Sequence, residues 1–240
     1  MHLQLALPVL LAALLAGCRN DLPSPERPSA APAPLRLVSL APSITEAVCA
    51  VGAGDLLVGR TSACDYPEEI VASVPVIGGF GTPSLELLAS VRPTLVLETA
   101  LADEAIGLQI DTMGLKRERV RCRGLEDIPG MLRHVGDLTG KALVGRELAA
   151  KLQRELLGLK LAESDAPRPK VYAEIWHDPM TTIGTGTFLS DLIALAGGQS
   201  VGDDTDKDYY QVSPESVISS DPGVILCLYL GCPLSTSAAA

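Results

Sequence analysis

Ser84-Leu85-Glu86-Leu87-Leu88-Ala89-Ser90-Val91-Arg92-Pro93-Thr94-Leu95-Val96-Leu97 and Ser213-Pro214-Glu215-Ser216-Val217-Ile218-Ser219-Ser220-Asp221-Pro222-Gly223-Val224-Ile225-Leu226 are two copies of one pattern. Ser213 stands 129 residues after Ser84, and Glu215, Ser219 and Pro222 follow Glu86, Ser90 and Pro93 at the same distance. The apolar positions match too. Each copy reads as a short helix capped by serine, a turn marked by proline and a buried strand. Solenoid units run to about 50 residues, so a spacing of 129 predicts two similar lobes carrying the same helix in the same place.

Around the first copy the chain alternates strand and helix. Arg36-Leu37-Val38-Ser39-Leu40 is a short apolar run closed by Ala41-Pro42, and Ser43-Ile44-Thr45-Glu46 has the spacing of a capping box. The helix that follows should stop at Gly52 or Gly54, and Leu56-Leu57-Val58 and Thr94-Leu95-Val96-Leu97 read as further buried strands. Such βα alternation predicts a parallel sheet with covering helices. Between the copies, Ala142 to Ala162 lacks proline, is rich in Leu, Ala, Lys and Glu, and places Leu148, Leu152, Leu156 and Leu159 on one helical face. Such a helix spans roughly 30 Å, a stiff spine between lobes. Asp165-Ala166-Pro167-Arg168-Pro169 ends it, and Lys170-Val171-Tyr172-Ala173-Glu174-Ile175 opens the second lobe. The fold class is therefore α/β, with two Rossmann-like lobes of mostly parallel sheet flanked by helices and joined by one long backbone helix. The divisions are an N-terminal lobe at 35–125, a connecting region at 126–165 and a C-terminal lobe at 166–240.

The N-terminus addresses compartment. Leu3 to Leu15 is an apolar run, too short for a membrane-spanning helix of about 20 residues. It ends in Leu15-Ala16-Gly17-Cys18, which resembles a bacterial lipobox and predicts a lipoprotein signal peptide at 1–17 with lipidation of Cys18. The n-region departs from the usual pattern in having His2 and no Lys or Arg. Residues 18–34 carry five prolines, from Pro23 to Pro34, and read as an extended tether. An exported protein at the cell surface or in the periplasm, held to a membrane by lipid, is the expectation. Five cysteines would then remain beside Cys18; an odd number leaves one without a partner in the chain, and the pairing stays open.

Composition excludes several classes. A hydrophobic share of 47% in 240 residues supplies a large core, and a net charge of −10 with no basic block argues against nucleic acid. Enzyme signatures fail one by one. Gly136-Asp137-Leu138-Thr139-Gly140-Lys141-Ala142 is a residue short of a phosphate-binding loop and lacks its Ser or Thr, and Gly184-Thr185-Gly186 lacks the third glycine of a dinucleotide fingerprint. Nothing assembles a hydrolase triad. No catalytic residue, metal ligand or built-in cofactor is expected.

Several motifs in order carry a family resemblance. Leu37 to Glu46, Cys64-Asp65-Tyr66-Pro67, Gly79-Phe80-Gly81-Thr82-Pro83-Ser84-Leu85-Glu86, Tyr172 to Pro179 and Leu192-Ile193-Ala194-Leu195-Ala196-Gly197-Gly198 resemble the helical-backbone periplasmic substrate-binding proteins of ABC importers, nearest the cobalamin-binding branch. The resemblance implies a monomer that captures cobalamin or another corrinoid between its lobes. It also implies delivery to a permease dimer with its ATPase subunits. Phe80 and Tyr209 match the aromatics that pack on the ligand from either lobe. Glu86 and Glu215 match the acids that dock onto the permease, one per lobe, and the repeat picks out the same pair independently. The bland alternative is that both acids merely offset helix dipoles. Trp176, His177 and Tyr210 are further candidates for ligand contact; for Trp176 a core role and for His177 a plain surface role are equally open. Ala63 and Thr99 stand where that branch can carry aromatics, which thins the platform for a corrin ring. Gly79 stands where heme-binding relatives carry a ligating tyrosine. The resemblance also implies that the second lobe is short, lacking a further strand and closing helix. Heme, a ferric siderophore, or a non-transport sensor or inactive paralogue are the alternatives.

Overall fold

The computed structural model describes residues 34–99, 104–161, 167–202 and 205–229. The stretch expected to be a signal peptide, Cys18 and nearly all of the expected tether lie outside the described residues, as does Cys232. Among the described cysteines, Cys49, Cys64 and Cys122 are free thiols. Among the described residues no helix is long and apolar enough to cross a membrane.

In chain order the first lobe holds β1 (Leu37–Ser39), α1 (Pro42–Ala50), β2 (Leu57–Arg60), α2 (Glu68–Val71), β3 (Gly78–Gly79), β4 (Thr82–Pro83), α3 (Leu85–Ser90), β5 (Leu95–Glu98), α4 (Glu104–Thr112) and β6 (Arg117–Arg119). Its main sheet is parallel, in the order β2-β1-β5-β6. Successive strand residues point to opposite faces, and both faces are covered. Leu37, Leu95 and Leu97 pack with Ile44 and Val48 of α1 on one side, while Val38 and Val96 pack with Leu88 of α3 and Ile110 of α4 on the other. That two-sided burial is why these strands read as continuous apolar runs.

Two helices follow, α5 (Ile128–Leu138) and α6 (Ala142–Leu161). The spine expected at Ala142 to Ala162 is the 20-residue α6, and Ala149, with Leu148 and Leu152 beside it, joins the first lobe's core together with Met131 and Val135 of α5. Leu156 is buried as read, but Leu159 is exposed, because α6 runs beyond the 11-residue α5 that covers its buried face. Gly145 sets the approach of these helices: a Cβ there would stand 2.5 Å from the Leu132 carbonyl oxygen and 3.1 Å from Gly136 Cα. Gly145→Ala is therefore expected to destabilise the protein by about 1–3 kcal/mol through overpacking, despite alanine's better helix propensity. A thermal melt would register it as roughly 2–4 °C for each kcal/mol; a Tm equal to that of the wild type would contradict the close-contact argument.

The second lobe comprises β7 (Lys170–His177), β8 (Met180–Ile183), α7 (Phe188–Leu195), β9 (Gln199–Ser200), β10 (Tyr209–Gln211), α8 (Pro214–Ser220) and β11 (Val224–Cys227). Its sheet is mixed: β7 pairs in parallel with β11 and β9 but antiparallel with β8, which β10 extends antiparallel. Val171, Ala173, Ile183 and Ile193 form its core.

The repeat holds at atomic detail. Ser84 caps α3 by accepting the Leu87 amide, and Ser213 caps α8 by accepting that of Ser216. Arg92 and Asp221, each directly before the repeat's proline, both take positive φ, 46° and 47°. The Thr94 amide donates to the Arg36 carbonyl as the Gly223 amide donates to that of Lys170, and β5 and β11 then run parallel to β1 and β7. The surroundings differ. β5 lies inside its sheet and is wholly buried; β11 lies at an edge, and Val224, Ile225 and Leu226 are exposed among the described residues.

One sequence expectation is corrected. Ser43 is not an N-cap: α1 begins at Pro42, with Ala41 at the N-cap and no side-chain cap. Proline at the first helical position needs no amide partner and brings its φ preset, so the start moves one residue earlier. Thr45 instead hydrogen-bonds the Ser39 hydroxyl and the Ala41 carbonyl. The helix ends as anticipated, with Gly52 at φ 76°.

Candidate functional site

A cavity of ≈ 620 Å³ opens between the lobes, walled by residues of both. From the first lobe come Ala41, Pro42 and Ser43 at the start of α1, Thr99 just past β5, Phe80, and Arg119, Arg121, Cys122 and Arg123 from the end of β6 onward. From the second come Gly186, Thr187 and Phe188 at the start of α7, with Asp208 and Tyr209 entering β10. The first-lobe wall thus sits where chains leave the C-terminal ends of parallel strands, the usual position for a binding crevice in open α/β sheets.

Phe80 is placed by a two-residue turn between β3 and β4, in which Gly81 has φ 71°. A side chain at Gly81 would be strained in that conformation, and the turn leaves Phe80 proud of the surface at 46% exposure. Tyr209, also 46% exposed, opens β10 opposite Ile183. Burial, with Asp208 next in sequence, pushes its phenol pKa up, so the hydroxyl stays protonated at neutral pH. The two aromatics anticipated from sequence therefore wall one cavity from opposite lobes.

Trp176, His177 and Tyr210 are not among the residues lining it. Trp176 and His177 end β7, with ring centroids 5.3 Å apart, and His177 stacks on Tyr229 at 5.1 Å. The Trp176 indole donates to the Asp178 carbonyl at 2.9 Å. Tyr210 follows Tyr209 along the strand and so faces the other side, its hydroxyl toward Gly202.

Glu86 and Glu215 occupy equivalent places, each the second residue of a serine-capped helix and each exposed. Hydrogen bonds from its own backbone amide and the Ser213 hydroxyl hold the Glu215 carboxyl below its ordinary range. Neither lines the cavity.

A second cavity of ≈ 890 Å³ lies beside α1, α2 and α5, with Cys49, Tyr66, Ile70, Met131 and Leu132 in its wall. It shares Pro42, Ser43, Cys122 and Phe188 with the first, so the two are adjacent. Burial raises the thiol pKa values of Cys49 and Cys122, which keeps both protonated and apolar in character.

The arginines are what sequence reasoning missed. Arg119 pairs with Glu98, which is 1% exposed, and with Glu104; Arg117 pairs with both of these and with Asp111. These bonds raise the pKa of Arg119 through Glu104 first, and lower that of Glu104 through Arg119 first. Arg123 pairs with Asp208 across the cleft, 85 positions away. The signal was in plain view: Arg117-Glu118-Arg119-Val120-Arg121-Cys122-Arg123 repeats arginine at every second position, the period of an extended chain.

Comparison with known proteins decides the family. The family described as periplasmic binding protein matches residues 37–236. The chain belongs to it. A curated relative, the vitamin B12-binding protein of Vibrio parahaemolyticus, is 26% identical over 191 residues, 79% of this chain and 69% of the relative. Among solved structures, the periplasmic heme-binding protein RhuT from Roseiflexus sp. RS-1 superposes with a TM-score of 0.73 at 30% identity, covering 80% of this chain and 76% of that one. The periplasmic vitamin B12-binding protein BtuF of Vibrio cholerae gives 0.72 at 24% identity over 80% and 75% of the two chains, a likeness of fold. These relatives are binding proteins, which accords with the failed search for enzyme motifs.

Proposed function

We propose that this protein captures a planar metal chelate, a corrinoid of the cobalamin type, in the cleft between its lobes and hands it to the permease of an ABC importer. The observation that carries the reading is the pair Phe80 and Tyr209: one half-exposed aromatic from each lobe on a single cavity of ≈ 620 Å³. Flat apolar faces suit flat ligands, and the volume falls within the usual range for small-molecule sites, about 300–1,000 Å³. The vitamin B12-binding relatives support the same class of ligand. Docking is assigned to Glu86 and Glu215, equivalent exposed acids, one per lobe. Export and anchoring through Cys18 complete the reading, since a leashed binder works beside the membrane that holds its permease.

Heme is the second reading, favoured by the 30% identity to RhuT, and weakened by Gly79 beside Phe80, where the resemblance implies a ligating tyrosine in heme-binding relatives. Absorbance titration with cobalamin and with hemin separates them. Saturation by cobalamin at one site per chain is the expected result; saturation by hemin with no uptake of cobalamin would replace the corrinoid by heme and leave the binding class standing.

A further inference from the structure

The cleft wall carries an uneven charge. Three guanidiniums, Arg119, Arg121 and Arg123, and one carboxylate, Asp208, line it in a chain whose net charge is −10. Their burial alternates along the strand and beyond: Val120 is buried between exposed Arg119 and Arg121, and Cys122 is half-buried before exposed Arg123. An extended chain with that alternation sets the three arginines on one side, about 7 Å apart. Two of them are already answered. Arg119 is held by Glu98 and Glu104 from behind the wall, and Arg123 by Asp208 from the opposite lobe. Arg121 has no ion pair or hydrogen bond among the described residues.

The row's excess charge therefore rests on its middle member, at the cavity surface. The start of α1 lies in the same wall and that of α7 in the facing one, and helix N-termini add positive potential to the cleft. Phe80 and Tyr209 supply the faces for a flat ligand; they leave its rim unaddressed. We propose that Arg121, flanked by Arg119 and Arg123, receives an ionised carboxylate or phosphate on the rim of the ligand, so that the cleft selects chelates with acidic side groups. The guanidinium fork fits either oxyanion with two parallel hydrogen bonds. Asp208 completes the device: while it holds Arg123, the row has one position open rather than two, and a second acidic group on the ligand takes Arg123 by exchange. The inference rests on the cleft being the ligand site.

Two pairs of probes test it. Cobalamin carries a phosphodiester within a nucleotide loop that cobinamide lacks as a whole, and hemin carries two carboxylates that its dimethyl ester lacks, so dependence on Arg121 is read beside the wild-type preference. Each is titrated, the heme pair in one detergent, into the wild type, Arg121→Gln and Arg121→Lys. The wild type is expected to prefer the charged member of one pair by about 10- to 100-fold, the worth of a charge-assisted bond or two. Arg121→Gln should bring that member down to the partner without the acidic group, whose own affinity stays put, and Arg121→Lys should fall between. A preference that Arg121→Gln abolishes assigns a phosphate when it lies in the first pair and a carboxylate when it lies in the second. Equal loss of both members, or unchanged affinity for the charged one, overturns the proposal. If the wild type takes up none of the four, the chelate reading above fails by itself, and pyrophosphate then decides the arginine site. A Tm raised by pyrophosphate at matched ionic strength in the wild type but not in Arg121→Gln sustains it, and equal shifts overturn it.

Discussion

Reversing both acids proposed for docking, Glu86→Lys with Glu215→Lys, is expected to abolish delivery of ligand while leaving its capture intact. The argument starts from the repeat. Each acid is the second residue of a helix capped by serine, each helix leads into a strand parallel to the first strand of its lobe, and the two helices are equivalent through that frame. A permease built from two identical subunits presents two identical basic patches, and a two-lobed binder meets them with one acid per lobe. Single Glu→Ala changes should slow transport roughly tenfold, since rim charges act mainly on encounter and register. Lysine is worse, because it adds like-charge repulsion to the lost pair. Affinity for ligand, measured by the same absorbance titration in all variants, should stay within about twofold, a margin worth some 0.4 kcal/mol, because neither acid lines the cavity. Association with the permease should also weaken between low salt and 0.3 M, as exposed charges are screened over about 10 Å at 0.1 M. Normal transport by the double reversal, or lost ligand binding in place of lost transport, would end the docking assignment and leave both acids as helix-dipole partners.

The repeat was legible because it rests on local chemistry that sequence states outright. Serine accepts an amide at an N-cap, proline stops the helix that precedes it, and a run such as Leu95-Val96-Leu97 has nowhere to go but a sheet interior. Arg92 and Asp221, left-handed at matching positions, were not legible, since a residue before proline ordinarily goes to the extended region. The start of α1 misread for a local reason too: Ser43 has the right spacing to Glu46, but Pro42 competes for the same turn and wins. The cleft was legible only in part. Phe80 and Tyr209 were found because aromatics are scarce here, seven Phe and Tyr and one Trp in all, and because the resemblance singled them out. Trp176 and His177 share that scarcity, yet β7 carries them to its far end, where His177 stacks on Tyr229. Scarcity points to a residue and says nothing of register. The arginines failed the opposite test. Arg117 to Arg123 is a clear period-two pattern, but such a stripe on an edge strand normally faces solvent, and only the second lobe's Asp208 and Tyr209, some 85 positions on, make that face a wall.

Truncating the aromatic pair should produce the largest loss of ligand affinity. Phe80 and Tyr209 are each 46% exposed, so each has apolar area left to bury against a ligand. Central aromatic anchors of this kind cost about 2–3 kcal/mol on truncation to alanine, or roughly 30- to 150-fold in Kd. Phe80 stands on a turn and Tyr209 at a strand end, and neither belongs to a core cluster, so folding should be little disturbed and a thermal melt should confirm it. Lying on opposite lobes, the rings act on one ligand together. Once one is gone the other can no longer clamp, so the double variant should lose less than the product of the two single losses. Tyr209→Phe separates ring from hydroxyl. The phenol stays protonated at neutral pH, its pKa raised by burial and Asp208, so it carries no charge for a ligand to read and the phenylalanine variant should keep nearly all affinity. A Tyr209→Phe loss as large as that of Tyr209→Ala would instead place the function in the hydroxyl, as a hydrogen-bond donor to the ligand. Wild-type affinity in the Phe80→Ala, Tyr209→Ala double variant would move the ligand out of this cleft altogether, toward the apolar cavity beside α1 that Cys49, Met131 and Leu132 enclose.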